Sequence, residues 1–254
     1  MVGGRSVFMV GFSGREYIGP VISQLLCAIS QCVPSQCAIC HAWPSSALCP
    51  LCVALFAQPR VRCPLCAQVA NTAATPCARC VGRGQTLAWP AEIHACVPYQ
   101  YPWRHLIQDF KFHGASGLAL HFGRLMQQNP GINGLLAQTD WLIPMPLADG
   151  RLKERGFNQS QLLANILSPP KCHAGLLTRS VHTVAQSALS RSDRLANVEG
   201  VYRVPDRAAA LLQGRHVTLL DDVMTSGASL SSATSALQSS GARVVCAVVF
   251  ARAE

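Results

Sequence analysis

The residues best equipped for chemistry sit toward the C-terminal end, where Asp221 and Asp222 close the apolar run Val217 to Leu220. They lead through Val223 and Met224 into Thr225, Ser226, Gly227, Ala228 and Ser229. A loop of small residues between the carboxyl end of a strand and the amino end of a helix turns backbone N–H groups and hydroxyls toward an anion, and the helix dipole adds to the attraction. Such a loop can cradle a phosphate. Two carboxylates beside it would repel a bare phosphate, but they can accept hydrogen bonds from sugar hydroxyls or hold a hydrated Mg²⁺. A phosphate next to a ribose is the ligand this stretch implies. The bland reading of the same residues is a solvated turn in which the two Asp only cap a helix.

A second set consists of thiols. Cys37 and Cys40, Cys49 and Cys52, Cys63 and Cys66, Cys77 and Cys80 form four C-x-x-C pairs, separated by eight, ten and ten residues. Each pair sets two thiolates on one side of a tetrahedral ion, and two pairs complete a closed structural zinc site with no open position. The eight ligands fit two Zn²⁺ ions; redox dithiols are the competing reading. The spacing leaves open whether the pairs combine consecutively, interleaved or nested. His41 adjoins a ligand but is surplus to eight cysteines, and Cys27, Cys32, Cys96, Cys172 and Cys246 lack pair spacing and read as ordinary thiols. So short a segment buries too little apolar area to fold alone, and metal would supply most of its folding free energy.

The elements that must hold these groups follow from hydrophobic periodicity. Val217 to Leu220, uninterrupted by charge, suits a strand buried on both faces of a parallel sheet. Leu230, Ala233 and Leu237 recur at helical spacing as far as Gly241, and Val244 to Phe250 is again apolar. The expectation is strand, loop, helix, strand with a right-handed crossover. Upstream, Trp141 to Ile143 reads as a buried strand running into Pro144-Met145-Pro146, with a helix carrying Leu162, Leu163, Ile166 and Leu167 after it. Between strand and helix, Arg151 and Arg155 could clamp a pyrophosphate or simply face solvent. Trp103, Leu106, Ile107 and Phe110 mark one helix face, and Leu118, Phe122, Leu125 and Met126 another. Lys111 and His113 between them could touch an anion or lie in a solvated turn. Val21, Ile22, Leu25, Leu26 and Ile29 share one face of a short amphipathic helix, after a start, Met1 to Gly19, expected to be disordered.

A chain of 254 residues holds one domain of ordinary size and a small one. Half of it is hydrophobic and 13% charged, which excludes wholesale disorder. The formal charge of +9 falls to about +5 if two four-cysteine zinc sites are formed. The remaining surplus favours phosphate-bearing partners. No apolar run approaches the ~20 residues of a membrane helix, and the start lacks a convincing signal-peptide core. With clustered thiols suited to a reducing compartment, a cytoplasmic protein without a membrane span is expected.

Val217 to Ser229 resembles the phosphoribosyl-pyrophosphate (PRPP) motif of type I phosphoribosyltransferases: four mostly apolar residues, two acids, two apolar residues, then a hydroxyl- and glycine-bearing loop. Ser226 and Ala228 replace the commoner threonines. Upstream stand I-P-M-P from Ile143, R-x-x-x-R-G-F-N-Q-S-x-x-L-A from Arg151, and Thr183-x-x-Gln186-x-x-Leu189 with Arg194 and Asn197. The ordered combination is similar to the ComF family of competence-associated, amidophosphoribosyltransferase-like proteins with an N-terminal double zinc ribbon. The likeness runs from about Cys37 to the C-terminus.

The resemblance implies an α/β fold, a type I phosphoribosyltransferase-like, mainly parallel sheet behind a small zinc-ribbon module. Residues 1–36 would be an extension, 37–85 the double ribbon and 95–254 the phosphoribosyltransferase domain. Asp221 and Asp222 would bind the ribose 2′- and 3′-hydroxyls of PRPP, and Thr225 to Ser229 would wrap its 5′-phosphate, with Val223 and Met224 also in the PRPP-binding stretch. Pro144 to Gly150 would meet the pyrophosphate, which Arg151, Arg155 and Mg²⁺ would steady. Arg179 to Asn197, with Arg191 and Arg194, would be a mobile hood. The implied reaction displaces pyrophosphate from the ribose C1 by a nitrogen nucleophile, where placement of charge counts more than a strong base. A PRPP sensor or a protein that handles single-stranded DNA on the same fold is the alternative, with competence or DNA-processing proteins as partners.

Overall fold

The structure, a computed structural model, describes residues 35–82, 88–179 and 201–254. The expectations for Met1 to Gly19, for the helix from Val21 to Ile29, for Cys27 and Cys32 and for Gln186, Arg191, Arg194 and Asn197 lie outside the described residues. The chain divides into two compact units after Cys49.

The described part of the first unit, residues 35–49, is a knuckle closed by a bridge between Ser35 and Ser45. The second unit opens with α1 (Pro50–Phe56), a knuckle bridged from Arg62 to Val69, and α2 (Ala78–Val81). Its centre is a four-stranded sheet of β1 (Ile93–Pro98), β2 (Trp141–Pro144), β5 (His216–Met224) and β6 (Val244–Arg252), in the order β1-β6-β5-β2 with every neighbour parallel. A short antiparallel pair, β3 (Thr178–Arg179) and β4 (Tyr202–Arg203), stands apart from it.

The sheet is apolar because both faces are covered. On one face α3 (Trp103–Phe112) and α4 (Leu118–Gln127) meet β6 through aromatic rings. Phe122 stacks on Phe250 with centroids 4.1 Å apart, and Trp103 meets Phe250 edge-on at 5.8 Å. All four residues of each expected helix face are buried. α5 (Pro130–Gln138) follows, its first N–H groups capped by Asn129. α6 (Asp149–Arg155) and α7 (Gln159–Leu167) come after β2, and α7 packs Ile166 against Gly123 of α4. The other face receives Ala208 and Leu212 of α8 (Asp206–Leu212) and Leu230, Ala233 and Leu237 of α9 (Ala228–Ser239), against Val217, Leu219, Val245, Ala247 and Val249.

One boundary differs from the sequence expectation. β5 does not stop at Leu220 but continues to Met224, because β6 keeps offering backbone partners as far as Arg252. β2 ends opposite Leu220, at Pro144. Asp221 and Asp222 therefore lie within a strand whose one neighbour has just ended, and the helix after the loop begins at Ala228, two residues before Leu230.

Candidate functional site

The site is built where β5 outruns β2. Asp221 Oδ1 accepts the backbone N–H of Asp222 at 2.9 Å and the hydroxyl of Ser160 at 3.1 Å. Asp222, 7% exposed, points to the other side of the strand, where its Oδ1 lies 2.8 Å from the ammonium of Lys111 at the end of α3. Crowding by protein raises the Asp221 carboxyl to about 7, and the charge of Asp222 pushes the same way; the Lys111 ammonium, the Asp222 N–H and the Ser160 hydroxyl pull against them. The pair is thus a charge-compensated constellation in which Asp222 is buried and Asp221 half-buried. A solvated turn would leave both carboxylates in water, so that reading does not fit.

The stretch from Arg155 to Ser160 explains how Ser160 reaches the pair. Gly156 ends α6 at φ +77°, the left-handed region that glycine enters freely. Phe157 turns inward to Phe110 with centroids 5.7 Å apart. Asn158 caps α7 by accepting the N–H groups of Ser160 and Gln161, while its amide donates to the Met145 carbonyl at 3.0 Å. This fixes the first turn of α7 against the end of β2, with Ser160 facing Asp221. Arg155 lies over the Phe112 ring at 4.7 Å and donates to Gln159 Oε1 at 3.3 Å, with its Nε buried and unpartnered. Arg151 is exposed on α6.

Beyond Met224, Thr225, Ser226 and Ser229 are exposed and Gly227 is buried. Gly227 has φ +81°, and a Cβ there would run into the Trp89 ring and the Met224 methyl, so only glycine fits this turn. The Ala228 N–H, expected to face a phosphate, donates to Ser226 Oγ at 3.3 Å. Tyr202 of β4 closes the site from the side, with Arg179 Cζ 5.6 Å from its ring centre. Burial raises its phenol above the ordinary range; Arg179 and a hydrogen bond with Ser229 oppose that, and Asp221 adds to it.

Arg252, 3% exposed, ties this loop to the cysteine-rich segment. Its Nη1 donates to the Thr225 carbonyl at 2.7 Å and the Met224 carbonyl at 3.2 Å, and its Nε to the Cys66 carbonyl at 2.7 Å. Trp89, which covers Gly227, donates its indole N–H to the Leu65 carbonyl.

The cysteines gather consecutively: Cys37, Cys40, Cys49 and Cys52 in one group, Cys63, Cys66, Cys77 and Cys80 in the other, with all four sulfurs of each group within 4.8 Å of one another. Three sulfur pairs stand at 3.7, 3.7 and 3.9 Å. Zn–S bonds of about 2.3 Å at tetrahedral angles demand about 3.8 Å. The two knuckles repeat one design. Cys37 and Cys63 each accept the N–H of the third cysteine of their group, at 3.4 and 3.3 Å. His41 and Ala67, each just after the second cysteine, both take a positive φ. His41 is therefore a turn residue. Burial disfavours the Cys37 thiolate, but the N–H groups of Cys40, Cys49 and Ile39 outweigh it and bring the thiol down to about 6. Cys63 falls to about 7 against burial in the same way, through the N–H groups of Cys77, Leu65 and Cys66. Donors this close and tetrahedrally spaced fit structural zinc.

Of the residues read from sequence, Asp221, Asp222 and the loop to Ser229 come together, and Arg155 reaches them through Gln159 and Ser160. Lys111, left open between two roles, belongs to the site. Ser160, Tyr202 and Arg252 were not singled out. Ser160 sits inside a quoted motif that could have suggested a role, whereas Tyr202 and Arg252 carry no local signal. Among the described residues no helix is long and apolar enough to cross a membrane.

No family model matches the chain. It is 30% identical over 162 residues to competence protein F of Haemophilus influenzae, covering 61% of this chain and 70% of that protein. It is 31% identical over 157 residues to the DNA utilization protein YhgH of Escherichia coli K12, covering 58% of this chain and 66% of that protein. With competence protein ComFC of Bacillus subtilis it shares 36% identity over 100 residues, 39% of each chain. The chain thus spans about two thirds of the length of the DNA utilization proteins it matches.

Proposed function

Because this chain belongs to the ComF family, we propose that it binds PRPP at the end of β5 and transfers its phosphoribosyl group to a nitrogen acceptor, in the service of DNA uptake or utilization. The observation that carries the reading is the compensated pair Asp221 and Asp222 placed directly before an exposed hydroxyl loop that requires glycine at position 227. Asp221 is placed to accept a ribose hydroxyl while Ser160 holds its other contact. Thr225, Ser226 and Ser229 offer hydroxyls, and the start of α9 offers N–H groups, to a 5′-phosphate. Arg155, close behind, supplies positive charge for the departing pyrophosphate, and Mg²⁺ arriving with PRPP would neutralise that group further. No protein nucleophile is called for, since positioning and charge lower the barrier. The names of the relatives, competence protein and DNA utilization protein, support the cellular side of the reading.

The test is the joint substitution Asp221→Asn and Asp222→Asn. Magnesium-dependent PRPP affinity, read by calorimetry, falls by about tenfold or more, equivalent to ~1.4 kcal/mol. If the parent protein, zinc-loaded and folded, shows no PRPP binding in millimolar Mg²⁺, the reading is wrong. Handling of single-stranded DNA by the basic surface then takes its place, recognisable by oligonucleotide affinity that drops steeply with salt.

A further inference from the structure

Lys111 is more than a solvated residue at a helix end. α3 is fixed by the buried side chains of Trp103, Leu106, Ile107 and Phe110, which leaves Lys111 free for another task. Its side chain is 19% exposed and its ammonium lies 2.8 Å from Asp222 Oδ1, its one partner among the described residues. An ammonium has three N–H donors and no acceptor, so two donors remain for a ligand beside the one that meets Asp222. Two further observations mark the spot as a place for one. Phe112, next in α3, lies under the guanidinium of Arg155, which gathers a second cation at the same helix end. Gln159, 1% exposed and adjacent to Ser160, leaves its Nε2 donor unpartnered. Buried donors without a partner are costly, and a ligand acceptor would relieve that cost.

We propose that Lys111, held by Asp222, contacts the pyrophosphate of bound PRPP, so that Asp222 acts chiefly by aiming the ammonium while Asp221 takes the ribose hydroxyl. This rests on reading the strand end as a PRPP site. The assignment to pyrophosphate follows from the layout of ligand and strand. The 5′-phosphate has its own loop, which begins at Thr225, three residues or about 10 Å along the strand from Asp222. The ribose edge that Asp221 would hold carries the C2 hydroxyl, and C2 adjoins C1, which carries the pyrophosphate. A cation standing at the acid pair is therefore nearer the pyrophosphate than the 5′-phosphate, and a compact ammonium suits a phosphate group as a point charge.

The test uses the zinc-loaded full chain and three probes, each with Mg²⁺: PRPP, inorganic pyrophosphate and ribose 5-phosphate. Lys111→Met weakens PRPP and pyrophosphate by about tenfold or more and leaves ribose 5-phosphate within about threefold. Lys111→Arg restores most of the loss. Asp222→Asn weakens PRPP in the parent but adds little in the Lys111→Met background, because its effect runs through the ammonium; Asp221→Asn adds in full. Zinc content and thermal melting report the fold, and Lys111→Gln carries the same test should Lys111→Met not fold. Unchanged PRPP affinity in Lys111→Met, equal loss of ribose 5-phosphate, or full additivity with Asp222→Asn overturns the inference while the PRPP reading stands. A parent protein that binds none of the three probes overturns both.

Discussion

The carboxylate pair of β5 and the thiol group of residues 63–80 both crowd like charges together, and they are held by opposite means. At the strand end the protein supplies its own compensation: the Lys111 ammonium, the Ser160 hydroxyl and the Asp222 N–H, on a strand buried by aromatic and aliphatic packing. At the knuckle, N–H groups offset part of the charge of Cys63, and the four sulfurs are spaced for a metal ion to supply the rest. The first centre is preformed by burial, whereas the second depends on an ion. Arg252 joins them, since one guanidinium bonds the Cys66 carbonyl and the first residue of the phosphate-loop candidate. The lesson is that an ion-dependent segment can set the precision of a site that hydrophobic packing alone holds in place.

Zinc removal is the severest way to break that comparison. Structural zinc contributes ~10–16 kcal/mol to small metal-folded modules. A chelator under reducing conditions should open residues 63–80 to proteases while the far-ultraviolet signal of the sheet and its helices largely persists. PRPP affinity should fall in step with zinc loss, because Arg252 and Trp89 lose their carbonyl partners. If affinity is unchanged in zinc-free protein, the strand end stands alone and Arg252 is only a local clamp.

A milder blow falls on the joint itself. Arg252→Lys keeps the charge but loses the planar fork that reaches Cys66, Met224 and Thr225 together. Losing one charge-assisted bond, ~1.5–3 kcal/mol, should lower Tm by roughly 3–12 °C for a unit of this size, at about 2–4 °C per kcal/mol. Zinc content should stay at two per chain, and PRPP affinity should weaken less than after zinc removal. A variant that loses zinc as well would show that Arg252 holds the knuckle rather than the loop.

These joints mark the limit of what the sequence discloses. The helix faces of Trp103 to Phe110 and Leu118 to Met126, the strands around Trp141, Val217 and Val244 and the parallel sheet follow from periodicity, because each is a local record of burial. Cysteine spacing announced two metal groups but not their pairing, which the chain path between knuckles decides. That Asp221 and Asp222 lie inside β5 depends on how far β6 continues beside it, a fact stored in another strand. Lys111 meets Asp222, and Arg252 the Cys66 carbonyl, across more than a hundred residues, and no spacing rule encodes such a contact. The motif around Ser160 carried the signal without the reason, which is a capped helix start aimed at Asp221.

The smallest expected effect separates the two centres by pH. Asp221 is raised from 3.8 to about 7 in the folded protein, so between those values the folded state holds a proton that the unfolded chain has released. Stability linked to this group is fully present below about pH 4 and is lost as pH rises through about 7. Asp221→Asn removes the titration yet keeps an oxygen for Ser160 and the Asp222 N–H. The parent's Tm should therefore decline between pH 5 and 8 more than the variant's, leaving the variant a few degrees more stable at pH 8 although PRPP binding is impaired. Zinc must be bound throughout, because Cys37 and Cys63 fall to about 6 and 7 without it and would titrate in the same window. Parallel decline of parent and variant would place the pH sensitivity at the thiols or elsewhere, and the strand end would then be as well compensated when fully charged as when protonated.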